Sequence, residues 1–375
     1  MNVLQCSVIA CLSLATLTAT QSLATSSLSF KAPVVYPTGE CPQSFAAEDI
    51  NLDGKPDLVV ANRWSDSVSV LLGKWDGTFK PKVDFQAGDE PMHVVVTDVN
   101  RDGKLDAVTS NAYGNTVSVL LGKGNGAFQP KVDYATGNVP PFVAEGDVNR
   151  DGKTDLVTSS GVDHTLSVLL GNGNGTFQPK VDYAASEDPG TVVVADVNRD
   201  GRPDLVASNY WTATVSILLG KWDGTFQPKV DYPAGGGVAA VVADMNRDGI
   251  PDLVTANQLD DTVSVLLGKG NGSFWPRVTY ATGDYPYIAV AGDVNRDGKP
   301  DVVTSNYYGK TVSVLLGNGN GTFQTKVDFP TSDAPYGVIL ADVNRDGRLD
   351  VVTGDIGNGC TNSIHVISVL INTGP

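Results

Sequence analysis

The chain writes one acidic nonapeptide seven times at nearly constant spacing, and this repetition narrows the possible folds more than any other feature. The first aspartates of the copies are Asp49, Asp98, Asp147, Asp196, Asp244, Asp293 and Asp342, separated by 49, 49, 49, 48, 49 and 49 residues. Such a period marks a repeat architecture, whose units bury their apolar faces only against their neighbours. A second signature travels with the first: "SVSVLLGKWDGTF" from Ser67, "TVSVLLGKGNGAF" from Thr116, "TLSVLLGNGNGTF" from Thr165. Each unit reads as an apolar segment, the acidic loop, a run such as "PDLVVAN", a variable loop, "VSVLLG", a Gly-rich turn and a segment such as "FQPKVDYATG". Short β-branched runs punctuated by Asn-Gly or Asp-Gly are strand and hairpin signals. No segment carries a capped helical period. Four short strands per unit are the pattern of a propeller blade. The expected fold class is therefore all-β, a seven-bladed β-propeller of four-stranded blades.

The two ends of the chain support closure. The last copy stops at "VISVLINTGP" with a third strand and no fourth, whereas "FKAPVVYPTG" from Phe30 matches the fourth-strand segment and lies one 49-residue period before Phe79. The N-terminal strand is thus expected to complete the last blade and remove the open edges of the array. A β-solenoid would need shorter periods and capping units at its ends. The first thirty residues lack any charged side chain, residues 7–17 form an apolar run too short to span a bilayer, and "SLA" ending at Ala24 is a small-residue cleavage site. We expect residues 1–24 to be a signal peptide and residues 25–375 a single propeller domain, secreted or at the cell surface. Cys6 and Cys11 would leave with the peptide. Cys41 follows the N-terminal strand and Cys360 lies in the insertion "GDIGNGCTNSIHV" of the last copy, so both fall at the seam of the ring. In an oxidising compartment a Cys41–Cys360 disulfide is expected; the alternative is two unpaired thiols.

Every nonapeptide keeps Asp at its first, fifth and ninth positions, Asn at the third and Gly at the sixth. Hard oxygen donors on alternate residues, followed by a glycine that allows a sharp turn, form the first half of an EF-hand-type loop and suit Ca²⁺ better than Mg²⁺. With the backbone carbonyl of the seventh residue included, the candidate ligands are Asp49, Asn51, Asp53, Lys55 and Asp57 in the first copy, and Asp98, Asn100, Asp102, Lys104 and Asp106 in the second. Asp147, Asn149, Asp151, Lys153 and Asp155 follow, then Asp196, Asn198, Asp200, Arg202 and Asp204, and Asp244, Asn246, Asp248, Ile250 and Asp252. The last two sets are Asp293, Asn295, Asp297, Lys299 and Asp301, and Asp342, Asn344, Asp346, Arg348 and Asp350. Three aspartates in each of seven loops outnumber the whole net charge of −16. Up to seven structural Ca²⁺ would offset most of that excess. Metal-free Asx turns would instead predict scatter among Asp, Asn, Ser and Gly at these slots.

These loops, the period and the seven copies resemble FG-GAP and VCBS-type repeats, the blades also found in the integrin α-subunit head and in certain fungal lectins. The resemblance covers residues 30–375. It implies a seven-bladed propeller with Ca²⁺ in the loop between the first and second strands of each blade. No copy contains literal Phe-Gly followed by Gly-Ala-Pro, so integrin-like partner binding is not implied. A stand-alone propeller, nearer the bacterial and lectin types, fits better.

Seven near-identical loops point to a scaffold role for the metal, and function should lie where the copies differ. Strands of a blade alternate in direction, so the loop after the second strand and the link between blades share the face opposite the acidic loops. The first set includes Trp64, Tyr113, Tyr210, Trp211, Tyr307 and Tyr308; the second includes His93, Phe142, Tyr285, Tyr287 and Tyr336. Such rings could stack on sugars or anchor a protein, or could pack between blades and cover the channel mouth. The sequons at Asn174, Asn271 and Asn320 occupy a slot that holds Asp76, Asn125 and Asp223 in other copies, as a hairpin turn requires. With 42 acidic against 26 basic residues, the chain is a poor partner for nucleic acid or anionic membranes. Three histidines, His93, His164 and His365, lack zinc-ligand spacing, and no nucleophile elbow, P-loop or dinucleotide fingerprint occurs. The expectation is a non-catalytic binding module for a glycan or an extracellular protein, with no membrane span. The alternatives are a structural or adhesive surface component, or a polysaccharide-active lyase or hydrolase.

Overall fold

The structure, a computed structural model, describes residues 28–237, 239–357, 360–361 and 365–374. The expected signal peptide, with Cys6 and Cys11, lies outside the described residues. Among these, 28 strands form seven four-stranded antiparallel sheets, and the longest helical piece is the three-residue turn Arg63–Ser65. Six sheets are built from consecutive strands, which we number as blades 1 to 6 from Pro42. In blade 7 the strand Val34–Pro37 pairs with Val366–Leu370, in the register Val34 to Val369 and Pro37 to Val366. The N-terminal strand therefore completes the blade that the C-terminal strands begin. The inner strands touch their neighbours in a closed ring, blade 7 meeting blade 1.

Burial within a blade follows from position in that ring. All six residues of each second strand, such as Asp57–Asn62, are buried, because neighbouring blades cover both faces. That is why these segments read as continuous apolar runs instead of alternating ones. The outer strands, such as Val83–Gln86, are exposed at three of four positions. Their one inward ring packs edge-to-face against the phenylalanine of the next blade's hairpin. The pairs run Phe85–Phe128, Tyr134–Phe177, Tyr183–Phe226, Tyr232–Phe274, Tyr280–Phe323, Phe329–Phe30 and Tyr36–Phe79, with centroids 4.8–5.4 Å apart. Seven such rivets, each worth about 0.5–1.5 kcal/mol beyond its area burial, close the circle. The last two use residues from before blade 1, so the seam is packed like every other interface.

The disulfide expected at the seam is present. Cys41 and Cys360, 319 residues apart in sequence, are bonded and buried beside Ile356.

Candidate functional site

Two faces of the disc carry chemistry. On the first, the seven nonapeptides adopt one conformation. The first aspartate accepts from the N–H of the fifth residue (2.9–3.1 Å) and from that of the sixth-position glycine (2.7–2.8 Å). The asparagine oxygen accepts from the same fifth-residue N–H at 2.9–3.0 Å. The fifth aspartate accepts from the seventh-residue N–H at 2.8–3.1 Å. The sixth position has φ of 79–86° in every copy, a region that suits glycine. That explains its invariance without appeal to ligand chemistry.

The ninth aspartate anchors the loop to the blade. Its Oδ1 accepts from the glycine N–H that ends the third strand, at 2.7 Å in Asp57, Asp106, Asp155, Asp204, Asp252 and Asp301; Asp350 receives Asn372 N–H at 2.8 Å instead. In copies two to seven its Oδ2 accepts from the second-residue N–H. In the first copy Ile50 N–H goes to the Glu48 carbonyl, and Asp57 Oδ2 is buried without a hydrogen bond, the Asn51 N–H facing it without completing one. Burial pushes the ninth carboxyls up to about 6, and Asp350 to about 7, with the first and fifth aspartates of the same loop pushing the same way. Each loop thus gathers three mutually repelling carboxylates.

A cation already answers part of that repulsion. Lys55, Lys104, Lys153, Arg202, Lys299 and Arg348 pair with the fifth aspartate of their own loops. The Lys104 ammonium holds Asp102 below the usual carboxylate range. Ile250 is the uncharged exception at this position. Among the described residues, no three His, Cys, Asp or Glu side chains stand ready-gathered around a metal point. The donor set nonetheless fits a hard divalent cation: carboxylate and amide oxygens dominate, ammonium groups stand in for a counter-charge, and Asp57 Oδ2 has no partner.

Sequence reasoning missed three tryptophans, two of them beside these loops. Trp75, Trp222 and Trp275 are exposed in the hairpins that end the third strands. Lys55 and Arg345 flank Trp75, Arg150 and Arg202 flank Trp222, and Lys269 lies over Trp275. Arg345 and Arg150 come from the loop of the preceding blade, so these contacts tie adjacent loops together. Arg at the fourth nonapeptide position was the available signal.

On the opposite face the blade links and the loops after the second strands do meet, as Arg63 N–H and Trp64 N–H donate to Cys41 and Glu40 carbonyls at 3.0 and 3.2 Å. The eleven aromatic candidates divide into unlike groups. Tyr113 and Trp211 are exposed, and Trp211 stands edge-on to Tyr210 at 4.9 Å. His93 and Phe142 pair at 4.9 Å in the channel wall, and burial pushes His93 down to about 4. Tyr285, Tyr287, Tyr307, Tyr308 and Tyr336 form one contiguous cluster with centroid separations of 3.8–6.5 Å. These five tyrosines and Trp64 line one pocket. Burial, together with the hydrogen-bonded phenol of Tyr210, pushes Tyr285 up to about 12.

His93, Tyr287 and Tyr336 lie within inner strands, not in the links where the sequence pattern put them. Those strands open on a proline followed by a register shift, as at Pro42/Ser44, Pro91/His93, Pro286/Ala289 and Pro335/Gly337. The bulge re-aims the residue after the proline toward the channel mouth. Gln43, Met92, Phe142, Gly190, Tyr287 and Tyr336 accordingly line one cavity of about 380 Å³. Gln43 and Met92 were missed in the sequence, although the residue after each inner-strand proline varies between copies.

The sequon asparagines serve the hairpins. Asn174, Asn271 and Asn320 each accept from the hydroxyl and the N–H two residues on, as Asp76 and Asp223 do with Thr78 and Thr225. Among the described residues, no helix is long and apolar enough to cross a membrane.

The chain belongs to the FG-GAP-like repeat family, which matches it in six overlapping stretches, 49–109, 98–158, 147–207, 196–255, 244–304 and 293–353. No curated protein sequence matches it significantly. Among solved structures it is similar to an Agrocybe aegerita lectin that recognises non-reducing terminal N-acetylglucosamine, at 17% identity and a TM-score of 0.58 over 90% of this chain and 87% of the lectin. It is similar to BBS1N, solved in complex with ARL6DN, at 10% identity and a TM-score of 0.62 over 91% and 96% of the two chains. A virginiamycin B lyase from Staphylococcus aureus gives 14% identity and 0.60 over 92% and 99%. At these identities the likeness is one of fold.

Proposed function

Taking a closed FG-GAP-like repeat propeller as the premise, we propose that this protein is a secreted, calcium-stabilised binding module that does no chemistry on its ligand. The carrying observation is the inequality of the two faces. One repeats a single carboxylate loop seven times; the other differs from blade to blade and gathers five tyrosines at one place. In each loop the side-chain oxygens of the first, third, fifth and ninth residues and the carbonyl of the seventh would hold Ca²⁺. Its charge would replace the ammonium stand-in and relieve the repulsion that burial imposes on the ninth aspartate. At two blade interfaces the loops are joined by arginine–tryptophan contacts, so the metal acts on the scaffold and recognition is left to the opposite face.

A glycan is the favoured ligand class, because rings beside amide and guanidinium groups suit hydroxyl-rich, partly apolar surfaces. The lectin neighbour makes the same fold compatible with that role, and the BBS1N complex makes a protein partner the second reading. The test is a glycan array probed with the mature chain in Ca²⁺ and in EGTA. Retention on a restricted set of glycans, lost in EGTA, is expected. No retention on any glycan in either condition would remove the glycan reading, and turnover of a bound polysaccharide would replace it with an enzyme.

A further inference from the structure

Resting on the reading that the variable face is the recognition surface, we propose that the pocket where blades 6, 7 and 1 meet binds the terminal ring of an uncharged sugar. The pocket encloses about 230 Å³ and is walled by Trp64 and Arg63 of blade 1, Tyr285, Tyr307 and Tyr308 beside blade 6, and Tyr336 of blade 7. That volume lies below the roughly 300–1,000 Å³ of drug-sized sites, so one ring fits better than a peptide segment. Tyr308 is 61% exposed and stands 4.8 Å from Tyr285 and 5.0 Å from Tyr307 by ring centroids. The Tyr307 hydroxyl donates to the Gly357 carbonyl at 3.1 Å. A fixed aromatic wall with one open face is thereby offered to a ligand.

Gln43 points to the ligand's chemistry. It is 4% exposed, and its Nε2 donates to Cys41 Sγ at 3.0 Å and Cys360 Sγ at 3.7 Å. The disulfide thus fixes the amide with its nitrogen toward sulfur. Gln43 lines both this pocket and the channel cavity, and its Oε1, itself buried, has no hydrogen-bond partner. A buried acceptor left unmade is costly, so a ligand hydroxyl or amide N–H would satisfy it. The second polar wall is Arg63, whose Nε donates to Glu90 Oε2 at 2.7 Å. The pair supplies guanidinium donors without net charge. A carboxylated sugar would find the Arg63 charge already neutralised by Glu90, and an organic cation would meet Arg63. An apolar ring face for tyrosine, a donor for Gln43 and an acceptor for Arg63 together describe a neutral pyranose.

The experiment titrates the Ca²⁺-loaded mature chain with the methyl glycosides of N-acetylglucosamine, galactose, mannose and glucuronic acid, read by calorimetry and saturation-transfer NMR. The variants are Tyr308→Ala and Gln43→Ala, with Leu259→Ala, an exposed change in a blade 5 loop, as control; near-UV circular dichroism checks their folding. Saturable binding of at least one neutral glycoside and none of the glucuronide is expected. Tyr308→Ala and Gln43→Ala should each weaken it about tenfold or more, a loss of ~1.4 kcal/mol, while Leu259→Ala leaves it unchanged. Neutral-sugar binding that both variants leave intact would overturn the pocket while the recognition role of the face stands. Preference for the glucuronide, or no binding of any glycoside up to about 50 mM, would overturn the proposal outright. An empty glycan array would in addition remove the glycan-binding role from which it starts.

Discussion

Removing the seam disulfide should cost the protein a large part of its stability without opening its ring. The perturbation is Cys41→Ala with Cys360→Ala, or mild reduction of the wild-type chain. The bond closes a loop of 319 residues, for which the chain-entropy relation gives about 6 kcal/mol of denatured-state constraint at 25 °C. Measured bridges often deliver less, so a loss of about 3–6 kcal/mol is expected. The native ring should survive. Val34–Pro37 remains paired with Val366–Leu370, Lys31 N–H donates to the Ile371 carbonyl, and the rivets Phe30–Phe329 and Tyr36–Phe79 lie away from the sulfurs. The assay is guanidinium unfolding in saturating Ca²⁺, followed by near-UV and far-UV circular dichroism, with the bond verified by mass spectrometry. A lower midpoint with an unchanged native spectrum is predicted. A shift worth less than about 1 kcal/mol would refute the reasoning, as would loss of the native spectrum before any denaturant is added.

Three further perturbations probe the blades and loops. Phe128→Ala removes one interblade rivet and a fully packed ring, and should cost about 3–5 kcal/mol in urea unfolding; a loss below about 1 kcal/mol would mean that the aromatic pairs are incidental. Asp155→Asn leaves one acceptor oxygen for the two N–H groups of Gly171 and Val148, so a loss of about 1–3 kcal/mol in EGTA is expected. A larger loss in Ca²⁺, with one metal fewer per chain by elemental analysis, is expected alongside it. In EGTA stability should fall as pH rises from about 4 through 6 to 7. The ninth aspartates and the buried Asp355 have folded values raised to about 6 or 7, so below the unfolded value both states are protonated, and above it the folded state binds more protons. Saturating Ca²⁺ should reverse that slope, because the metal needs the ionised form. A melting temperature that rises with pH in EGTA would contradict the burial of these carboxyls.

Most of the architecture was legible because repetition made it so. Seven copies of one loop and one hairpin turned weak strand signals into a blade count. The match of Phe30 to Phe128 located the closing strand, and Cys41 and Cys360 fell at the seam from connectivity alone. What the copies share could be read; what they do not share could not. The bulge after Pro42, Pro286 and Pro335 depends on a backbone shift that leaves no periodic trace, so Gln43 went unnoticed and Tyr287 and Tyr336 were assigned to links. The aromatic residues of the variable face looked alike in the sequence. Only packing separates Tyr113, standing alone, from Tyr308 in a built wall. The flanking of Trp75 and Trp222 likewise needed the arginine of the preceding blade's loop, which lies well beyond one repeat in the chain and, for Trp75, across the seam of the ring.

Counting bound metal and melting the mature chain with and without it tests the central claim most directly. Near seven Ca²⁺ per chain by elemental analysis, one for each of the seven nonapeptides, and a large fall in calorimetric melting temperature in EGTA are predicted, since a ligand bound only by the folded state stabilises it by mass action. A chain that carries no Ca²⁺ after dialysis against excess metal, and melts identically in EGTA, would contradict it. The nonapeptides would then be hydrogen-bonded turns whose counter-charges are the lysines and arginines already beside them.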